Sequence, residues 1–218
     1  MVDKPKGWTS FDVVAKVRGA LKQSGVVKPK VGHTGTLDPL ATGLLVLVLG
    51  NYTKRASEYS KLDKTYDAEL FLGKNSSTGD EEGEKKLISD LVPSSKEVKE
   101  VLKQFVGKIE QTPPAHSAIK IGGQRAYKLA RQGKEITIEP RKITIYKLKL
   151  TDYKYPIVKL TAHVSSGTYI RSLAQDIGQQ LGIGAYLTEL KRTQVGKYSV
   201  EEAIKPNDKN LLQHILPF

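Results

Sequence analysis

The chain contains no cysteine among its 218 residues. That absence excludes a disulfide framework, a thiolate nucleophile, a zinc ribbon and an iron–sulfur cluster. The histidines are also few and isolated from one another, and none has a histidine partner at the spacing of metal ligands. We therefore expect no bound metal.

Long apolar runs are missing as well. The longest run, Leu44 to Leu49, is far short of the roughly 20 apolar residues of a membrane span and suits a buried strand. The segment Met1 to Lys6 lacks the apolar core of a signal peptide. We expect a cytoplasmic protein without membrane association.

Positive charge is in excess, with 35 Lys and Arg against 23 Asp and Glu and a net charge of +12. Residues 1–66 carry +6, residues 67–105 carry −3 and residues 106–218 carry +9. Two basic segments flanking an acidic one favour a partner that bears phosphate. A generically basic surface explains the composition equally well.

The periodicity of apolar residues predicts one α+β domain around a mainly antiparallel or mixed sheet. Thr9 and Asp12 form a capping-box pattern before a helix over 10–23, and strict alternation predicts a strand over 64–72 with one buried face. The acidic stretch 73–86 has the composition of a solvated loop. The other predicted elements are a strand at 44–49, a helix after Ser94 or Ser95, a short helix at 125–131, paired strands at 143–153 and 157–164, a helix at 168–181, and two short strands at 186–192 and 195–198.

The first polar cluster is Gly-His-Thr-Gly-Thr-Leu-Asp-Pro at residues 32–39, directly before a predicted strand. Its glycines let a substrate approach the backbone, so the carboxylate of Asp38 is well placed as a fixed reactive group. The alternative is an ordinary turn in which Asp38 bonds its own backbone before Pro39. Residue types alone leave both interpretations open.

Two further polar groups share this ambiguity. Tyr169 and Arg171 fall in the first turn of a predicted helix, where unpaired amide groups attract anions. Arg171 either holds a carboxylate through a bidentate pair or is a surface arginine near Asp176. Tyr66, on the predicted strand, either stacks on a nucleobase or fills the core.

Taken in order, these clusters resemble the motifs of the TruB family of tRNA pseudouridine synthases. The resemblance runs from Asp3 to about Ala203, nearly the whole chain. It rests on Asp3 to Ser10, on GHTGTLDPLATGLL at 32–45, on Lys64 to Tyr66, on Pro113-Pro114, Ser117-Ala118, Lys120 and Arg125 to Tyr127, on GTYIRSLAQDIG at 167–178, and on Leu190 to Arg192.

Membership of that family implies a pseudouridine synthase-like fold, which is a mixed, mainly antiparallel sheet with flanking helices and a central cleft. The implied activity converts a uridine in the T loop of tRNA to pseudouridine, after the nucleotide is flipped out of the loop into the cleft. The resemblance implies that no cofactor and no metal takes part. The expected partner is the T arm of tRNA, and the expected state is a monomer.

The resemblance assigns catalysis to three residues. Asp38 is the essential carboxylate, which attacks C1′ of the sugar, attacks C6 of the base, or stabilises charge in a glycal route. Tyr66 stacks on the base and is available for proton transfer. Arg171 pairs with Asp38, keeping the carboxylate ionised and oriented.

The same resemblance implies that further residues bind the RNA substrate. Leu190 and Tyr169 border the base, and His33 enters the loop that the flipped nucleotide vacates. The implied contacts with phosphate are Lys4, Lys64, Lys191 and Arg192.

The sequence departs from the family pattern in two places. The family usually carries a further C-terminal RNA-binding domain of the PUA type. We expect residues 1–218 to be a single catalytic domain without it. His116 stands where the family often has a larger aromatic residue.

Two other functions compete with an RNA isomerase. One is a non-catalytic tRNA-binding or RNA-folding module, which the intact Asp38, Tyr66 and Arg171 oppose. The other is a retaining glycosidase, which needs a second carboxylate about 5 Å from the first. The sequence around Asp38 offers no obvious partner of that kind.

Overall fold

The structure is a computed structural model that describes residues 1–117, 119–132 and 136–215. Its α-helices are α1 (Ser10–Gln23), α2 (Ala56–Ser60), α3 (Ser95–Gln104), α4 (Ala126–Arg131) and α5 (Ile170–Gln180), with 3-10 turns at Gly50–Arg55 and Val200–Glu202. Its strands are β1 (Val2–Lys4), β2 (Val31–His33), β3 (Thr42–Leu45), β4 (Leu47–Leu49), β5 (Lys64–Leu72), β6 (Lys74–Ser76), β7 (Lys85–Leu87), β8 (Gly107–Gln111), β9 (Lys120–Ile121), β10 (Gln124–Arg125), β11 (Arg141–Lys154), β12 (Ile157–Val164), β13 (Ala185–Val195) and β14 (Tyr198–Ser199).

The chain forms two compact units, Met1–Asp67 with Leu190–Phe218 and Ala68–Glu189, and both boundaries fall inside strands. In the first unit β3 lies between antiparallel β1 and parallel β13, and β2 pairs with β4. In the second unit β11 lies between β12 and β8 and is antiparallel to both, and β6 and β7 form a hairpin. These pairings confirm the predicted α+β class with a mixed, mainly antiparallel sheet.

Helix α1 confirms the prediction made from its capping box. The Thr9 hydroxyl accepts the N–H of Asp12 at 3.1 Å, and the Asp12 carboxylate accepts the N–H of Thr9 at 2.7 Å. Two of the orphan amides at the helix start are thereby satisfied. Val14 and Val17 pack against Val31 of β2, so the helix covers the strand that leads to Asp38.

Several other predictions are confirmed by the structure. Strand β5 buries alternate residues over its whole length, as its period of two requires. Helix α3 begins after its Ser94 cap, and α4 and α5 occupy the predicted segments. Strands β11 and β12 pair antiparallel.

Two strand predictions are wrong in their boundaries. The apolar run 44–49 divides at Val46, whose carbonyl accepts the N–H and the hydroxyl of Thr34 instead of continuing one ladder. Conversely, β13 is one strand of 11 residues where two short strands were expected.

The motif residues between Pro113 and Tyr127, on which the family resemblance partly rests, are described only in part. Ala118 lies outside the described residues, and so do the side chains of Lys120 and Tyr127. Among the described helices none has the length and apolarity needed to cross a membrane.

Candidate active site

The loop that carries Asp38 is fixed through the main chain on both sides of that residue. The Ser10 hydroxyl donates to the carbonyl of Leu37 at 3.0 Å and accepts the Leu37 N–H at 2.8 Å. The carbonyl of Pro39 accepts the N–H of Gly7 at 2.8 Å and the ammonium of Lys4 at 3.5 Å. The half-buried carboxylate of Asp38 is therefore held on a loop whose backbone is fixed on both sides of it.

Arg192 ties the start of this loop to the strand that follows it. Its Nε donates to the carbonyl of Leu44 at 2.8 Å, and its Nη2 donates to the carbonyl of Gly35 at 3.0 Å. The side chain is only 2 % exposed. It holds the Asp38 loop from inside the protein.

Gly43 lets the backbone of β3 approach Arg192. Its φ is +99°, and a Cβ atom there would lie 2.3 Å from the carbonyl oxygen of Arg192. We expect Gly43→Ala to lower the free energy of unfolding by about 3 kcal/mol or more, because the clash adds to the backbone strain. Urea unfolding measures this loss.

Gly7→Ala is the matched control for that substitution. Gly7 has a φ of +84° with no atom within 4 Å of the added Cβ. Alanine there therefore adds backbone strain but no clash. We expect a loss of about 1 kcal/mol there. Equal losses at the two positions would show that the approach of Arg192 is not what requires Gly43.

Lys4 and Lys64 are buried amines bound to carbonyl groups. Lys4 is 0 % exposed and donates to the carbonyls of Pro5 at 2.9 Å and Trp8 at 2.6 Å, while Lys64 is 7 % exposed and donates to those of Ser60 and Leu62. Three of the four residues expected at phosphate groups thus lie in the interior, since Arg192 is buried too. Lys191, on β13, is the exposed one.

Burial lowers the pKa of both ammonium groups from 10.5 to about 8. At Lys4 the negative charges of Asp38 and Asp12 partly oppose this shift, so the ammonium and the Asp38 carboxylate stabilise each other. At Lys64 the charge of Arg192 adds to the lowering.

The lowered pKa of Lys4 predicts a pH-dependent stability. Between pH 8 and 10.5 the unfolded chain binds more protons at Lys4 than the folded chain does, so stability rises with pH in that window. We expect the free energy of unfolding of the wild type to gain on that of Lys4→Met as the pH is raised from 7.5 to 10. Lys16→Met, at an exposed position of α1, should show no such gain. A constant difference between wild type and Lys4→Met would contradict the shift.

Three more predicted site residues belong to the first unit. Tyr66 is 8 % exposed and belongs to the buried row of β5. Leu190 is half-buried, and its carbonyl accepts the Thr42 hydroxyl at 3.4 Å. His33 ends β2, and its buried Nδ1 has no hydrogen-bond partner among the described residues. Burial lowers the pKa of His33, and the charge of Arg192 lowers it further, which favours the neutral ring.

Arg171, in the second unit, is 6 % exposed, so the alternative of a surface arginine is wrong. Its Nη1 lies 3.4 Å from a carboxylate oxygen of Asp80 and donates to the carbonyl of Thr78 at 3.2 Å. Its Nη2 donates to the carbonyl of His116 at 2.8 Å. The guanidinium plane is thereby fixed in one orientation. Its pairing with Asp38 stays a prediction.

Asp80 is the site residue that sequence reasoning missed. The stretch 73–86, expected as a solvated loop, contains a hairpin of β6 and β7. Its turn exposes Glu81, Glu82 and Glu84 but buries Asp80, which is 4 % exposed. Its carboxylate accepts the Thr78 hydroxyl at 2.5 Å and the N–H of Glu82 at 3.1 Å. A buried carboxylate with these bonds is ready to pair with a cation, and Arg171 supplies it.

Gln111 fixes the residue before α5. Its side chain accepts the N–H of Tyr169 at 2.8 Å and donates to the carbonyl of Tyr169 at 3.1 Å. The Ser172 hydroxyl donates to the carbonyl of Thr112 at 2.9 Å, so β8 and its extension hold the first turn of the helix. Tyr169 itself is half-buried and caps α5, so it directly precedes the helix instead of lying in its first turn as predicted.

Among the described residues, no three His, Cys, Asp or Glu side chains are grouped so that they could hold a metal ion. The first unit holds the Asp38 loop, His33 at the end of β2 and Tyr66 in the buried row of β5. In the second unit the structure brings Arg171, Asp80 and the start of α5 together.

The sequence matches two protein-family models. Residues 20–170 match the TruB family pseudouridylate synthase (N terminal domain), and residues 171–216 match the tRNA pseudouridylate synthase B C-terminal domain. The chain is 45% identical over 210 residues to tRNA pseudouridine synthase B of Chloroherpeton thalassium, covering 95% of this chain and 87% of the relative. To the protein of that name in Fusobacterium nucleatum it is 47% identical over 202 residues, or 92% of this chain and 68% of the relative.

Solved structures with the same fold include one of a Cbf5-Nop10-Gar1 complex, with a TM-score of 0.69 and 30% identity over 91% of this chain and 48% of that one. Another is an H/ACA RNP bound to a substrate RNA containing 2′-deoxyuridine, with a TM-score of 0.70 and 26% identity over 99% and 55%. The chain thus spans about half the length of these solved chains. With more than half of its residues matched by one family model and curated relatives covered over most of their length, the chain belongs to the TruB family of pseudouridylate synthases.

Proposed function

We propose that this protein isomerises a uridine in the T loop of tRNA to pseudouridine, with Asp38 as the essential carboxylate. The observation that carries the proposal is the Asp38 loop, which is bound through the main chain on both sides of the carboxylate. Relatives that cover most of the chain bear the name tRNA pseudouridine synthase B. These names specify tRNA, and the T loop as the site within the tRNA is our further assignment.

The isomerisation needs no oxidant, reductant or group donor. The bond from N1 of the base to C1′ of the sugar breaks, the base turns, and a bond from C5 to C1′ forms. The proton on C5 leaves and N1 gains one, so atoms and charge balance. Attack at C1′, attack at C6 and a glycal route all require an ionised carboxylate held at the sugar or the base. The Lys4 ammonium interacts electrostatically with the side chain of Asp38.

The other site residues receive roles that agree with their burial. The ring of Tyr66 serves as a wall on which the flipped base stacks, with Leu190 beside it. The neutral ring of His33 is suited to enter the RNA loop, because an uncharged ring stacks without losing hydration of a charge. Lys191 contacts phosphate, while Lys4, Lys64 and Arg192 hold the protein frame from inside.

The test uses tRNA transcripts labelled with tritium at C5 of uridine. We expect release of one tritium per tRNA and a pseudouridine mapped to the T loop, and no release when the target uridine is replaced by cytidine. Release of free uracil would identify a glycosidase instead. A pseudouridine outside the T loop would overturn the assignment of the substrate.

The alternative of a non-catalytic RNA-binding module gains no support from the relatives, which are named as synthases. We also infer a monomer that acts in the cytosol, since one chain holds every predicted site residue and tRNA is the substrate.

A further inference from the structure

One face of the second unit carries a row of exposed cations that the isomerisation does not use. Strand β12 buries Val158, Leu160, Ala162 and Val164, and the residues between them point to the opposite face. On that face Lys147 of β11 stands opposite His163, and Lys149 stands opposite Thr161. On this face Lys147 and Lys149 are exposed, while His163 and Thr161 are half-buried.

Lysines outnumber acidic residues on this face, where Glu110 lies opposite Lys142 and Asp152 lies opposite Lys159. We name Lys142, Lys147, Lys149 and Lys154 the lysine row; all four are exposed and lie along β11. Among the described ion pairs none involves a member of the row, whereas Lys159 on β12 pairs with Glu69 at 3.5 Å. Alternate residues of a strand are about 7 Å apart, so Lys147 and Lys149 present adjacent charges to one ligand.

An aromatic pair lies within the lysine row. A β-bulge between Ile145 and Lys147 shifts the register of β11, and Tyr146 is left 47% exposed. The Tyr146 ring lies 4.9 Å from the His163 ring, between centroids, at an interplanar angle of 40°. Tyr146 is the exposed member of the pair and His163 is half-buried beneath it. An exposed aromatic ring among lysines on a sheet matches the way in which sheet-based RNA-binding domains stack bases and neutralise phosphates.

We propose that this face is a second RNA-binding surface, separate from the residues of the uridine site. The lysine row binds the phosphate backbone, and Tyr146 with His163 stacks a base or a ribose. The proposal rests on the proposed function only in taking RNA as the substrate. A membrane surface fits less well, because the row lacks the apolar anchors that hold a protein in a bilayer.

The test compares two charge-reversal variants of the full chain. Lys147→Glu/Lys149→Glu changes the surface, and Lys96→Glu/Lys99→Glu changes two exposed lysines of α3 by the same net charge. We expect the first variant to bind tRNA at least about tenfold more weakly than the second at 100 mM salt, with a salt dependence reduced by about 1.5 in log–log slope. Tyr146→Ala should weaken binding by about fivefold or more.

Full-length tRNA and an isolated T-arm hairpin identify the RNA segment. A loss with full-length tRNA alone assigns the surface to the body of the tRNA, and a loss with both assigns it to the T arm. Equal binding by the two charge-reversal variants overturns the proposal. Vesicle binding gives a second outcome that overturns the proposal. In it, the wild type prefers anionic vesicles, and the first variant loses that preference but still binds RNA as the wild type does.

Turnover at saturating tRNA separates this inference from the proposed function. We expect the Lys147→Glu/Lys149→Glu variant to keep the kcat of the wild type. If the wild type forms no pseudouridine, the proposed function fails, while the binding comparison still decides whether the surface exists.

Discussion

Replacing Asp38 with asparagine should remove pseudouridine formation, with turnover lower by about 10⁴-fold or more. The amide keeps the size of the carboxylate but neither attacks carbon nor stabilises positive charge on the sugar. The loop itself stays in place, because Ser10 binds the N–H and carbonyl of Leu37, and Lys4 and Gly7 donate to the carbonyl of Pro39. Tritium release from labelled tRNA measures the loss.

The control for this substitution is Glu201→Gln, which removes an exposed carboxylate from the same unit. Its turnover should stay within twofold of the wild type. The Asp38→Asn protein should still bind tRNA and should unfold within about 1 kcal/mol of the wild type, since asparagine keeps the size of the side chain and the main-chain bonds of the loop stay intact. Activity above one tenth of the wild type would remove Asp38 from the chemistry.

The parts of this structure that sequence predicted are those set by local patterns. The capping box of α1 and the alternation in β5 each lie within a dozen residues, and each gives the observed element. The candidate site was found through ordered motifs, which name Asp38 and Arg171 without showing what surrounds them.

The parts that sequence could not predict depend on contacts between distant positions. Arg192 reaches the carbonyl of Leu44 across 148 positions, and a buried arginine bound to main-chain oxygens looks in sequence like any surface arginine. Asp80 stands among Glu81, Glu82 and Glu84, so the composition indicates a solvated loop. The one local signal was the alternation of Ser76, Thr78 and Asp80, whose side chains bond one another in the hairpin turn.

Arg171→Lys should lower kcat by about 10²-fold or more while tRNA affinity changes little. A lysine keeps the charge, but a single ammonium cannot reach Asp80, the carbonyl of Thr78 and that of His116 at once, as the guanidinium fork does. Any pairing with Asp38 then loses its direction. Arg55→Lys is the matched control, because Arg55 forms an exposed pair with Glu58 and should tolerate the change within twofold.

A double-mutant cycle measures the interaction between Arg171 and Asp80. Arg171→Met leaves the carboxylate of Asp80 buried without its cation and should cost about 3–5 kcal/mol of unfolding free energy. Asp80→Asn leaves the guanidinium without its counter-charge and should also destabilise. Each single substitution leaves one buried charge without its partner, whereas the double variant removes both charges. The loss of unfolding free energy in the double variant should therefore be smaller than the sum of the two single losses, by about 1–3 kcal/mol. Additive losses of unfolding free energy would mean that Arg171 and Asp80 act independently. The guanidinium would then be oriented only by the carbonyls of Thr78 and His116.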